Sequence, residues 1–140
     1  MESTRGVAAI FWGALLAAAA VGLGAYAAHG LEKQIVSLGY EADLAKRLAW
    51  FETGAKYQMY HAVALILTGV IAERRESRKI LGLAGVLFVL GILFFSGSLY
   101  AMTLLGPNWK WLGAITPLGG LSFIVGWVSL AIGARGKPQP

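Results

Sequence analysis

The chain has 140 residues, 57% of them hydrophobic and 14% charged, with 19 glycines, no cysteine and a formal net charge of +5. That length suggests one domain, and the lack of cysteine excludes disulfides, thiolate metal ligation and thiol catalysis. The positive charge does not point to nucleic acid, because no basic stripe with interleaved aromatics occurs outside the apolar segments.

Residues 6–31 contain no Asp, Glu, Lys or Arg, and exceed the ~20 apolar residues needed to cross a ~30 Å hydrocarbon core. Arg5 and the small-x-small run Ala25-Tyr26-Ala27 imitate a signal peptide. The apolar stretch outruns the usual ~7–15 residues of such peptides, so a retained helix is expected. Gly13, Ala17, Ala20, Gly24 and Ala28 give this helix a small-residue side on which another backbone can pack closely. His29 closes it.

Next, Leu44, Leu48, Phe51 and Ala55 follow an i, i+4, i+7, i+11 stripe, with Asp43, Lys46 and Arg47 expected to project elsewhere. The pattern predicts an amphipathic helix at the membrane interface, over about 41–55, leading into a second span. A helix packed on the bundle fits the same stripe. The uncharged run 57–72 is shorter, but the helix-compatible residues before it extend it. It opens on Tyr57, Gln58 and His61. If the helix continues unbroken, Trp50, Gly54, Tyr57, His61 and Thr68 form a face that must look at other helices, since lipid offers it no partner.

Residues 80–109 and 111–134 are also free of charge. The first carries Ser96, Ser98 and Tyr100 in FFSGSLY, the second Thr116 and Pro117 in TPLGG. Within a helix, Pro117 would leave the carbonyl of Gly113 without its donor. Ser122, Gly126, Ser129 and Gly133 supply a second small-residue face, and these faces suit packing within one chain better than an obligatory homo-oligomer seam. Trp12, Trp109, Trp111 and Trp127 read as interfacial anchors.

The expected fold is therefore an all-α integral membrane protein. Four transmembrane helices form a compact bundle, with spans at about 6–30, 55–73, 80–105 and 111–134, and an interfacial helix lies between the first two. Residues 1–134 make one domain, and 135–140 a short tail. With four spans, Arg5, Arg74, Arg75, Arg78, Lys79, Arg135 and Lys137 share one side, against Lys33, Lys46, Arg47, Lys56 and Lys110 on the other. The excess places both termini in the cytoplasm. A bacterial cell (inner) membrane is the plainer assignment, and an organellar membrane stays open. Counting depth at ~1.5 Å per residue, the polar groups His29, Tyr57, Gln58, His61, Ser96, Ser98, Tyr100, Thr116 and Pro117 all fall in the outer third.

LGAYAAHGL, FETGAKYQMYHAVAL, FFSGSLYAM and TPLGGLSFIVGW, in that order, resemble the YgdD-like family of small multispanning membrane proteins. That is a domain-of-unknown-function family with eukaryotic relatives named transmembrane protein 256. The likeness covers residues 22–127 and implies that His29, Gln58, His61, Ser96, Gly97, Ser98, Tyr100, Thr116, Pro117, Gly119 and Gly120 are signature positions. The stretch between His29 and Phe51 is long for the family, and nothing in it is carried over. The resemblance brings no activity.

Chemistry narrows the choices. A metal site needs three or four ligands, and His29 and His61 supply two; haem between them would need equal depth. A hydrolase built on Ser96 or Ser98 with His61 lacks an acidic orienter. A proton or solute conduit would stop in the outer third. No catalytic constellation, cofactor or metal is expected. The primary reading is a non-enzymatic structural, accessory or assembly factor whose polar cluster ties the helices together. Its partners are the lipid bilayer, other membrane proteins and a bound lipid, with a homo-oligomer permitted but not required. The alternative is binding or transport of a lipid, quinone or small solute through an outward-facing pocket lined by His29, His61, Tyr100 and Thr116.

Overall fold

A computed structural model describes residues 3–139. Met1, Glu2 and Pro140, at the ends of the expected domain and tail, lie outside the described residues, as does the side chain of Arg5. The described chain is helical: α1 (Ser3–His29), α2 (Leu31–Ser37), α3 (Leu44–Ala72), α4 (Arg78–Gly91), a π-helical turn (Ile92–Ser96), α5 (Gly97–Leu104), a 3-10 segment (Pro107–Ala114) and α6 (Thr116–Ala134). Three stretches are long and apolar enough to cross a membrane: Gly6–His29, Arg78–Leu104 and Pro107–Ala134. The chain is an all-helical membrane protein.

α3 is the axis of the molecule. α1 packs along one side of it, and α4, α5 and the π-turn along another, while α6 lies mainly on α4 and the π-turn. The α1–α3 contact is close because small residues meet: a Cβ on Gly69 would collide with the carbonyl of Gly6 at 2.6 Å, and one on Gly13 with that of Ala62 at 2.8 Å. Lipid drives helices together weakly, so such close backbone packing supplies the attraction. The small face of α6 works the same way against α4. Gly126 meets Phe88, Gly133 meets Leu81, and Ser122 Oγ donates to the carbonyl of Leu87 at 2.8 Å. The α6 face and the Gly13–Ala20 part of the α1 face are used within the chain, whereas a Cβ on Gly24 would meet nothing within 4 Å and Ala28 is exposed.

Two apolar clusters divide the length of the bundle. One joins Ala64, Leu81, Ala84, Phe88, Ile92, Phe123 and Leu130 across α3, α4 and α6. The other joins Leu31, Ile35 and Phe51, with Leu23, Ala27, Leu44, Leu48, Tyr100 and Leu104 packed around them. At the end bearing the termini, the tail folds back on the α3–α4 turn. Glu76 N–H donates to the carbonyl of Lys137, and Gln139 N–H to that of Arg74, both at 3.0 Å, around the isolated bridge between Arg75 and Pro138.

Three expectations need correction. The Leu44–Ala55 stripe does not belong to a separate surface helix. It is the first half of the unbroken, 29-residue α3, and Phe51 and Ala55 are buried against protein. The 41–55 pattern could not separate lipid headgroups from a second layer of helix, and α2 supplies that layer. Arg47 does not project away from the stripe but is itself 1% exposed. Pro117 does not interrupt a helix, because α6 begins at Thr116 and places it in the first turn, where no intrahelical donor is required.

Candidate functional site

The π-helical turn 92–96 is the local irregularity around which the polar residues are arranged. Such wide turns inside α-helices are frequent at functional positions. Ser98, just beyond it, donates to the carbonyl of Phe95 at 2.9 Å and lies 2.7 Å from Thr116 Oγ1, joining α5 to α6. Ser96 is fully buried, and its hydroxyl has no partner among the described residues. The turn also lets α6 come close, since a Cβ on Gly119 would press on the backbone nitrogen of Phe95.

Gln58, buried on α3, links three helices. Its Nε2 donates to the carbonyl of Leu16 on α1 at 2.9 Å, and its Oε1 accepts from Tyr100 Oη on α5 at 2.9 Å. The Tyr100 ring lies against Phe51, 4.7 Å between centroids, and over Gly54.

One turn further along α3, His61 sits in an aromatic enclosure. Its ring stacks on Phe123 at 3.3 Å and 7°, with Phe88 and Tyr57 also within 6 Å. Nδ1 lies 2.7 Å from the Tyr57 carbonyl, and Nε2 accepts from Trp127 Nε1 at 3.2 Å. Tyr57 itself is 40% exposed and stacks on Phe95 at 4.6 Å.

The nominated residues thus fall into three small bonded groups: Gln58 with Tyr100, His61 with Trp127, and Ser98 with Thr116. Ser96 stands alone, and His29 is exposed at the end of α1. Trp127 lies roughly 12 Å from Arg135 and roughly 16 Å from Thr116 along α6, so its partner His61 meets α6 near the middle of that helix. Trp127 is consequently a hydrogen-bond donor to the interior, not merely an interfacial anchor. Among the described residues, no three His, Asp or Glu side chains converge on a common point.

Sequence reading missed Arg47. Its Nη1 donates to the carbonyls of Met102, Thr103 and Leu105 at 3.0, 2.6 and 3.1 Å, and its guanidinium lies 3.8 Å over the Tyr40 ring. Thr103 Oγ1 returns a bond to the carbonyl of Arg47 at 3.2 Å. The end of α5 presents orphan carbonyls and negative dipole charge, and α5 has no basic residue in its own last turn. That shortage was the readable signal, because a cation from elsewhere had to fill it.

At the end opposite the termini, a cavity of about 470 Å³ opens between α3, α5 and the start of α6. Lys46, Trp50, Phe95, Leu99, Met102 and Thr116 are among its lining residues. Of the four residues expected to line an outward pocket, Thr116 does so; His29, His61 and Tyr100 do not.

Helical architecture, three membrane-length apolar stretches and polar side chains bonded between helices define a small helical membrane protein. The chain belongs to the family described as "Protein of unknown function (DUF423)", which matches residues 23–120, from the first residue of LGAYAAHGL to the second glycine of TPLGG. It is 44% identical over 124 residues to a UPF0382 membrane protein of Staphylococcus saprophyticus, covering 89% of this chain and 93% of that one. It is 41% identical to the UPF0382 membrane protein YwdK of Bacillus subtilis, covering 89% and 94%. A UPF0382 membrane protein of Haemophilus influenzae is 40% identical, covering 81% and 82%. No solved structure matches the chain. The resemblance read from the four motifs is borne out, and it leads to a family of unknown function.

Proposed function

We propose that this chain is a four-span, non-enzymatic protein of the bacterial cell membrane, with both termini in the cytoplasm, and that it serves as a structural or assembly factor for other membrane proteins. α3 is the added span: its 29 residues reach roughly 43 Å, and its charged residues are concentrated in the first half. The observation that carries the reading is the internal use of polarity. Gln58, His61, Ser98, Tyr100, Thr103 and Arg47 each bond to another helix of the same chain. Such groups fix a bundle and leave little chemistry for a substrate. The outward faces, with Leu118, Leu121, Ile124 and Val128 on α6 all more than half exposed, are available to lipid and to partner helices.

Two measurements test this. The chain has no cysteine, so single cysteines at Ser37, Ser77, Asn108 and Gln139 report sidedness against an impermeant maleimide. Four spans require Ser77 and Gln139 to label from the cytoplasm and Ser37 and Asn108 from outside. Photo-crosslinkers at Leu121, Ile124 and Val128 in native membranes should then give one recurrent membrane-protein adduct. A chain that crosslinks only to lipid from every outward position would defeat the assembly role.

The 470 Å³ cavity favours a second reading, the capture of a lipid, quinone or small solute, since its volume lies in the range of small-ligand sites. Native mass spectrometry of gently solubilised protein decides between them: a stoichiometric ligand lost on Thr116→Trp supports capture, and a bare chain opposes it.

A further inference from the structure

The gap between α1 and the α4–α5 helix is filled along only half its length. Towards the end opposite the termini a cluster of α2 and α3 occupies it: Leu31, Ile35 and Phe51 are at most 1% exposed, with Leu23 and Ala27 of α1 and Tyr100 and Leu104 of α5 packed around them. Towards the termini none of the described residues fills it. There α1 and α4 flank an open groove of about 1380 Å³, floored by Leu65, Thr68, Gly69 and Ala72 of α3. The 79–90 stretch of α4 that walls it rises roughly 16 Å, which is the depth of one leaflet of a ~30 Å core. Its walls are apolar, with Trp12, Leu16, Val86 and Leu90 among them; Thr68 on the floor donates its hydroxyl to the carbonyl of Ala64, and the other polar residues gather at the mouth.

Among the described residues that line the mouth, Arg78 and Lys79 outnumber Glu73. Lys79 is exposed there, and Arg78 stands beside it, its guanidinium bonded to Gln139 Oε1 at 2.7 Å. Glu73 also lines the mouth, but the 73–79 turn carries Arg74, Arg75, Arg78 and Lys79 against Glu73 and Glu76. A slot one leaflet deep, apolar along its length and cationic at its surface end, has the polarity of an anionic phospholipid. A partner helix would require a groove running the full membrane depth, and α2 blocks that. Basic pockets between helices on the cytoplasmic side hold anionic headgroups by ordinary electrostatics.

We propose that the groove between α1 and α4 is a binding site for one anionic phospholipid, its acyl chain lying against α3 and its headgroup held at Lys79. The site is separate from the interhelical polar groups and from the 470 Å³ cavity, with which it shares no lining residue. It does not depend on the protein having a partner, and the cysteine labelling above determines only which leaflet supplies the lipid.

The test uses the full chain reconstituted in vesicles of equal phosphatidylglycerol and phosphatidylcholine, extracted into mild detergent and weighed by native mass spectrometry. The expected result is one retained phosphatidylglycerol per chain, in preference to phosphatidylcholine. Lys79→Gln should lower that preference about fivefold, the worth of one surface cation near an anionic membrane. Gly82→Phe should abolish retention of either lipid, because Gly82 lines the groove and a Cβ there meets nothing within 4 Å. Should that variant lose helicity, Val86→Trp blocks the same wall from an exposed position. Equal retention of the two lipids, or retention unchanged by both blocking variants, overturns the proposal. So does a lipid-free dimer, which would assign the groove to a second copy.

Discussion

Trp127 donates its indole N–H to Nε2 of His61 at 3.2 Å, while Nδ1 of the same ring lies 2.7 Å from the carbonyl of Tyr57. A carbonyl only accepts, so Nδ1 carries the hydrogen, and an indole N–H only donates, so Nε2 offers its lone pair. A single neutral tautomer satisfies both contacts. Nitrogen-15 NMR of selectively labelled protein should show the Nδ1–H form, and an Nε2–H signal would contradict the arrangement. Trp127→Phe should cost roughly 0.6–1.7 kcal/mol, the range for interhelical bonds in membranes. His61→Ala should cost roughly 2–4 kcal/mol, because it also opens a void against Phe123. Reversible unfolding in mixed micelles measures both.

Arg47 bonds three carbonyls at the end of α5. Arg47→Ala should destabilise by about 2–4 kcal/mol, since it strands buried acceptors and removes the cation facing the helix dipole. Arg47→Lys should recover only part of this, because an ammonium lacks the planar fork that both bonds and stacks on Tyr40. Full recovery by lysine would reduce the contact to simple charge.

The Gln58–Tyr100 bond predicts a measurable coupling. Tyr100→Phe and Gln58→Leu should each destabilise the bundle, and the double variant should lose less than their sum by roughly 0.6–1.7 kcal/mol. Strict additivity would show that the 2.9 Å contact contributes nothing in lipid or detergent.

Around the π-turn, three substitutions should separate cleanly. Gly119→Ala forces α6 away from the Phe95 backbone and should cost about 1–3 kcal/mol by overpacking. Gly97→Ala, with nothing within 4 Å of the added methyl, should be neutral or stabilising by up to about 1 kcal/mol. Ser96→Ala removes a buried hydroxyl that has no partner among the described residues and should be neutral or stabilising. A large loss at Ser96 would mean that its hydroxyl makes a bond in the membrane.

Uncharged length was enough to read α1, the α4–α5 helix and α6, because a bilayer demands little beyond apolar residues in sufficient number. It also found the packing faces, since glycine and serine at helical spacing have few other uses in lipid. Gln58 bonds to Tyr100 and Ser98 to Thr116, a pairing that was not legible. Whether Tyr100 meets Gln58 or His61 depends on helix rotation, and the π-turn changes that rotation without an obvious sequence mark. Arg47 escaped for a different reason. A charged residue within an amphipathic pattern is ordinarily solvated, and only the unmet carbonyls of a helix 55 residues later make burial favourable.

That separation has a consequence for biogenesis. α3 carries Lys46, Arg47, Glu52 and Lys56 in its first half, and each charge at a helix centre costs roughly 2.5–3.5 kcal/mol on insertion. α3 is also not among the stretches apolar enough to enter a membrane on composition alone. The carbonyls that receive Arg47 belong to residues 102–105, so they reach the membrane only after Arg47 has left the ribosome. On the four-span reading, α3 therefore takes its final depth only after the α4–α5 helix has been made. A ribosome stalled before Met102 should leave α3 accessible to impermeant reagents along its first half, and one released beyond Leu105 should not.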